Sequence, residues 1–158
     1  VPRGQGPRVG RAVANRWSAA MINSRDPSDL LPRVEAKCRA FVAACKAHNI
    51  DVLITSTYRD RESQDALYAQ GRTKPGPRVT NAKGGQSYHN YRCAFDFVPL
   101  ADGKAQWTNL ALFDQCGQIG EALGLEWAGR WTGGFREYAH LQDSGGLTLA
   151  QLAAQERA

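Results

Sequence analysis

Three side chains spread along this chain have to converge if they are to work together, and that restricts the fold more than any other feature of the sequence. The stretch Ser87-Tyr88-His89-Asn90-Tyr91-Arg92-Cys93-Ala94-Phe95-Asp96 offers a histidine and, seven residues later, a carboxylate. Far downstream, Glu137-Tyr138-Ala139-His140 supplies a second histidine with an acid beside it. Two imidazoles and one carboxylate make a ligand set suited to zinc with one position open, the pattern of catalytic rather than structural sites. Glu137 is then left over, three residues from His140, and a free carboxylate there could take a proton from water. The expected chemistry is metal-assisted peptide hydrolysis, with one Zn2+ per chain held by His89, Asp96 and His140.

The surrounding pattern says what could bring them together. A helix is expected from 28 to about 48, with Val34, Cys38, Phe41, Val42 and Cys45 on one apolar stripe, Pro32 in its first turn and Asn49 as its stop. His48, at its end, reads as a helix-terminal cation and not as a ligand. Asp51–Ser56 reads as a short apolar strand. Asp60 can cap a second helix that runs to about Gln70 and closes at Gly71. Residues 72–86 form a Gly- and Pro-containing loop with Arg72, Lys74, Arg78 and Lys83 and no acid, which reads either as a solvated loop or as a basic rim leading into the His89 segment. In a strand over 92–98, alternation places Ala94 and Asp96 on one face and Cys93 and Phe95 on the other, so Cys93 points away from the metal. Pro99 should end that strand.

A third helix over 109–123 turns Leu112, Phe113, Cys116, Ile119 and Leu123 inward, and 125–127 makes a short strand. A last helix starts at Thr148, with a capping box to Gln151 and a hydrophobic staple from Leu147 to Leu152. In a regular strand over 136–142, Glu137 and His140 would face opposite ways, so a bulge or turn is expected between them. The fold class that follows is α+β: helices packed on one side of a small, mainly antiparallel sheet, with a single zinc site at the sheet edge.

One domain of ordinary size suits 158 residues, and no stretch approaches the apolar length of a membrane span. The four cysteines do not form a disulfide framework: Cys38 and Cys45 share a helix, Cys93 and Cys116 lie in separate elements, and no CxxC pair is present. That usage suits a reducing compartment. The net charge of +5 is uneven. Of 20 basic side chains, Arg3, Arg8, Arg11 and Arg16 fall in residues 1–20, which hold no acid, so 16 face 15 acidic ones in the rest. A domain so nearly neutral is not expected to bind nucleic acid. Residues 1–20 contain no apolar run, and Val-Pro-Arg-Gly resembles a protease-site remnant, so they read as a basic leader, vector-derived or disordered. The alternative is a basic arm drawn to anionic surfaces. Residues 21–158 then form the peptidase domain.

Ser87-x-His89, Ala94-x-Asp96 and Glu137-x-x-His140, taken in order, resemble the zinc D-Ala-D-Ala carboxypeptidases and L-alanyl-D-glutamate endopeptidases, phage endolysins among them. The resemblance extends from about Pro32 to Gln142. It takes in Thr57-Tyr58-Arg59, Gln64, Leu67-Tyr68-x-Gln70-Gly71-Arg72, and Leu125-Glu126-Trp127 with Trp131. It implies His89, Asp96 and His140 as zinc ligands, Glu137 as the base, and Arg59 as holder of a substrate carboxylate or the developing oxyanion. Ser87, Gln64 and Trp131 are carried over as substrate-binding residues, Ser87 with a second option as a hydrogen bonder behind a ligand and Trp131 with a second option as a cover for the core. Two positions depart from the family pattern, which usually has Gly where Arg92 stands and often Gly where Ala128 stands. Arg92 is expected to bring a long cation close to the site.

The Leu67 to Arg72 run and the short single domain resemble lysis endopeptidases. That likeness implies an antibacterial bacteriophage enzyme that cuts the peptidoglycan stem peptide between L-Ala and D-Glu. It also implies a monomer made in the host cytoplasm without a signal peptide and acting on the cell wall after release. Two other readings compete: a carboxypeptidase on the same scaffold, and a zinc-containing binding module that has lost catalysis. Glu137 argues against the second, because a dead site need not keep a base.

Overall fold

The first apolar stripe becomes helix α1 (Pro32–Ala47) in the computed structural model, which describes residues 21–132, 134 and 136–158. The leader expected over 1–20 lies outside the described residues. Pro32 sits in the first turn of α1, where no N–H is required, and Asn49 takes up the left-handed conformation (φ 60°) that closes a helix. Val34, Cys38, Phe41 and Cys45 are buried along the stripe, and Val42 is half-buried beside them.

The strands are β1 (Asp51–Ser56), β2 (Ala94–Ala101), β3 (Lys104–Ala105), β4 (Glu126–Trp127) and β5 (His140–Gln142). They form one sheet in the order β1-β2-β5-β4, with β3 added to the far end of β2, and every pairing is antiparallel. Helix α3 (Leu110–Ala122) lies with α1 against one face. Phe95 and Phe97 point that way and pack on Phe41, with ring centroids 5.8 and 4.9 Å apart, while Phe97 meets Phe113 at 5.5 Å. Burying each such ring stabilises the fold by about 1.5–3 kcal/mol. The opposite face of β2 is left for Ala94 and Asp96, as the alternation requires.

Two features differ from expectation. Pro99 does not end β2, which continues to Ala101 with Pro99 opposite Val52. The Pro99 carbonyl accepts the Gln106 N–H at 2.9 Å, so its nitrogen also faces away from β1, and no bond of the β1 ladder is lost. The strand ends instead at Asp102 and Gly103, both at positive φ, which form a two-residue turn into β3. Leu112 and Ile119 of α3, and Leu123 at its C-terminal cap, are only half-buried. The closest approach to the sheet is made by Gly117 and Gly120, where a Cβ would run into Trp127 and Leu141.

Helix α2 (Arg61–Ala69) starts at Asp60, whose side chain accepts the Ser63 N–H at 2.8 Å. Helix α4 (Leu149–Arg157) starts at the Thr148–Gln151 capping box, and its Leu152 packs on Tyr91 and Cys93 with Leu147 alongside. An extended segment over 22–24 runs beside residues 57–60, with Thr57 N–H on Ser24 O at 2.7 Å and Asp60 N–H on Ile22 O at 2.9 Å, fixing the chain on either side of Arg59. No helix of the described residues is long and apolar enough to cross a membrane.

Candidate active site

Asp96 lies opposite Ser56 on one side and His140 on the other, so the Asp96 and His140 side chains leave the same face of the sheet. Just before β5, Tyr138 and Ala139 form a turn in which the His140 N–H bonds Glu137 O at 3.3 Å. The turn breaks the strand parity and brings Glu137 round to the same side, with Oε2 3.5 Å from His140 Nδ1. His89 comes from a 3-10 turn, Tyr88–Tyr91, which Ser87 caps by accepting the His89 N–H at 3.3 Å and Asn90 closes as the partner of a capping box. Asn90 also donates to Arg59 O at 2.8 Å, joining this turn to the end of β1.

The donor atoms of His89, Asp96 and His140 all lie within 4.8 Å of one another. Asp96 Oδ1 is 3.0 Å from His89 Nε2 and 3.2 Å from His140 Nδ1. Each imidazole is held by its other nitrogen: His89 Nδ1 donates to Thr57 O at 2.8 Å, and His140 Nε2 donates to Gln142 Oε1 at 2.8 Å. With those nitrogens carrying the protons, Nε2 of His89 and Nδ1 of His140 keep their lone pairs for a metal. Two neutral imidazoles and a carboxylate fit zinc. Protons compete with a metal for those two nitrogens: burial pushes the Asp96 carboxyl upward, but the charges and hydrogen bonds of His89 and His140, when protonated, outweigh it and take the group well below the usual carboxylate range. Burial pulls His140 down, yet its hydrogen bond to Asp96 and the charges of Asp96 and Glu137 leave it raised.

Arg59 is nine-tenths buried at one side of the triad, donating to Gln64 Oε1 at 2.9 Å and Ser56 Oγ at 3.0 Å, with Asp96 Oδ2 3.7 Å away. Burial lowers its pKa, partly offset by the charges of Asp96 and Glu137. Arg59, Ser87, His89, Asp96, Trp131, Glu137 and His140 all line one groove of about 620 Å³. The Trp131 ring stands 5.6 Å from that of His140. A second hollow of about 510 Å³ adjoins the first and shares Thr80, Ala82, Gln86, Trp131 and Glu137 with it.

Three side chains are placed differently from the sequence expectation. Gln64 is fully buried, accepting from Arg59 and donating to Ala82 O at 2.8 Å, so it supports Arg59 and the following loop from behind and does not reach the groove. Arg72 does not form part of an outward basic rim. It lies 3.9 Å over the Tyr68 ring and donates to Tyr68 O and Thr80 O, bracing the loop, whose residues Val79, Thr80, Ala82 and Gln86 form the groove wall.

Arg92 turns away from the site: its guanidinium stacks 3.8 Å over Tyr58 and donates to Asp29 O at 2.8 Å. Its backbone is left-handed (φ 60°, ψ 25°), which explains why a glycine suits this position. Strain there costs about 1 kcal/mol, and the stacking and hydrogen bond offset it by a similar amount. Arg92→Ala, which keeps the strain and loses the contacts, should therefore lower stability by about 1–2 kcal/mol, and Arg92→Gly should cost less. Chemical denaturation of the two variants checks the order.

The sequence alone assigns no role to Gln142 or to Glu126, although Glu126 falls within the Leu125-Glu126-Trp127 fragment of the resemblance. The signal was present, because Gln142 lies two residues after His140 and so shares its face of a strand.

A family model described as D-alanyl-D-alanine carboxypeptidase matches residues 80–143. The chain is 43% identical over 141 residues to the peptidoglycan L-alanyl-D-glutamate endopeptidase CwlK of Bacillus subtilis (strain 168), with 82% of this chain and 84% of that protein covered. Among solved structures it is similar to the L-Ala D-Glu endopeptidase ChiX of Serratia marcescens, with a TM-score of 0.56 over 77% of this chain and 87% of that one. At 16% identity, the second likeness is one of fold.

Proposed function

The chain belongs to the peptidase M15 family, and from that premise we propose that it is a zinc endopeptidase that hydrolyses the L-Ala–D-Glu bond of peptidoglycan stem peptides. The observation that carries the reading is the convergence of His89, Asp96 and His140 beside Glu137 and Arg59 in a groove that continues past Trp131. The likeness to CwlK supports the choice of bond.

His89, Asp96 and His140 would hold a zinc ion, which would supply a Lewis acid to polarise a carbonyl and to make water nucleophilic near neutral pH. Glu137, whose side chain is 31% exposed, takes the proton of the attacking water and returns it to the leaving amine of D-Glu. Arg59, held by Gln64 and Ser56, steadies the oxyanion or the free α-carboxylate of D-Glu. Ser87 spends an oxygen lone pair on the His89 N–H and keeps its O–H for a substrate group. Trp131 forms a wall over His140 and shields the reacting bond from bulk water.

A cut inside the stem needs substrate on both sides of the triad. The second hollow lengthens the groove past Glu137 and Trp131 and offers room for an extended stem peptide. The finer reading, a monomeric phage lysis enzyme that reaches the wall after release, is supported by the resemblance at Leu67 to Arg72, of which Leu67 and Gln70 line the groove. Releasing stem peptides from glycan severs cross-links, whereas trimming a terminal D-Ala leaves the mesh intact. Purified peptidoglycan suspensions should clear on addition of the protein, stop clearing with a chelator and resume with zinc. Clearing that ignores the chelator would remove the metal from this account.

A further inference from the structure

Behind His140 runs a chain of hydrogen bonds in which the end member is an exposed carboxylate. Glu126 lies opposite Gln142 in the β4–β5 pair, and the 3-10 turn Ala128–Arg130 brings Trp131 back beside it. Glu126 Oε2 accepts from Gln142 Nε2 at 2.9 Å, and Glu126 Oε1 accepts from Trp131 Nε1 at 3.1 Å. We propose that Glu126 is a positioning residue that acts through Gln142 on the metal-facing nitrogen of His140 while pinning Trp131 at the groove. This rests on the reading of His140 as a metal ligand.

Donors and acceptors set the direction of this chain of bonds. A carboxylate only accepts, so it fixes which end of the Gln142 amide it meets. With the NH2 group on Glu126, the amide oxygen is turned to His140 Nε2, which must then carry the proton. Nδ1 is left bare, and it is the nitrogen that faces Asp96 Oδ1. A reversed amide would set a donor against Nε2 and drive the proton onto Nδ1, where it blocks metal binding. Packing places no such demand on Glu126, which is exposed, while its neighbour Trp127 fills the core. Gln142 is 2% exposed, and its amide finds its partners in His140 and Glu126.

Glu126→Gln keeps the shape of the side chain but offers one acceptor to two donors, Gln142 and Trp131. The reciprocal double variant, Glu126→Gln with Gln142→Glu, restores all three bonds: residue 142 accepts from His140 and from the amide at 126, whose oxygen accepts from Trp131. Zinc affinity of the full chain, measured by competition with a chromophoric chelator, should fall about 10-fold or more in Glu126→Gln and return most of the way in the double variant. Thermal stability is measured alongside. Unchanged affinity in Glu126→Gln would overturn the proposal, as would an equal loss in the double variant. Wild-type protein that fails to bind zinc would overturn the metal reading and this inference together, whereas a failure confined to the variants overturns this inference alone.

Discussion

Glu137→Gln should retain the fold and about one zinc per chain while hydrolysis drops by roughly 100-fold or more. The substitution preserves size and leaves the backbone bond from Glu137 N–H to Ala128 O in place. What it removes is the ability to accept a proton. Glu137 Oε2 stands 3.5 Å from His140 Nδ1, close enough to reach a water at the triad, yet the donor set of His89, Asp96 and His140 is complete without it. Metal content by mass spectrometry and turnover on soluble stem fragments separate the two roles. Near-normal turnover would place the base on another residue, and loss of zinc would make Glu137 a ligand.

His89→Ala and His140→Ala should each lose the metal and reduce turnover to background. Either change leaves two donors of three, and it also strands what held the ring: Thr57 O in the first case, Gln142 Oε1 in the second. Zinc content at the wild-type level in both variants would dismiss this site.

Much of this geometry is legible in the sequence where a short-range rule applies. The stripe from Val34 to Cys45 is a helical period, and alternation across 93–96 suffices to send Asp96 to one face and Cys93 to the other, where it packs with Tyr91 and Leu152. The same parity argument requires a turn between Glu137 and His140, and Tyr138 with Ala139 supplies it. Other features depend on what lies across the fold. Whether Pro99 breaks β2 depends on which side its nitrogen faces, and that is set by register with β1 and not by local propensity. Gln64 and Arg72 carry polar groups that any helix surface could show to solvent; only the return of the 72–86 loop over them converts one into a buried support and the other into a brace. Arg92 reads as a cation near the site because its sequence neighbours are there, but a left-handed backbone turns it toward Tyr58. Gly117 and Gly120 are unremarkable in a helix until Trp127 and Leu141 are laid against them.

The bond that is cut separates an endopeptidase from a carboxypeptidase on this scaffold. Purified peptidoglycan digested with the protein, labelled at new amino termini and resolved by mass spectrometry, should yield new N-terminal glutamate, with L-Ala left on the muramyl sugar. Free D-alanine as the main product, without new glutamate termini, would contradict the endopeptidase reading.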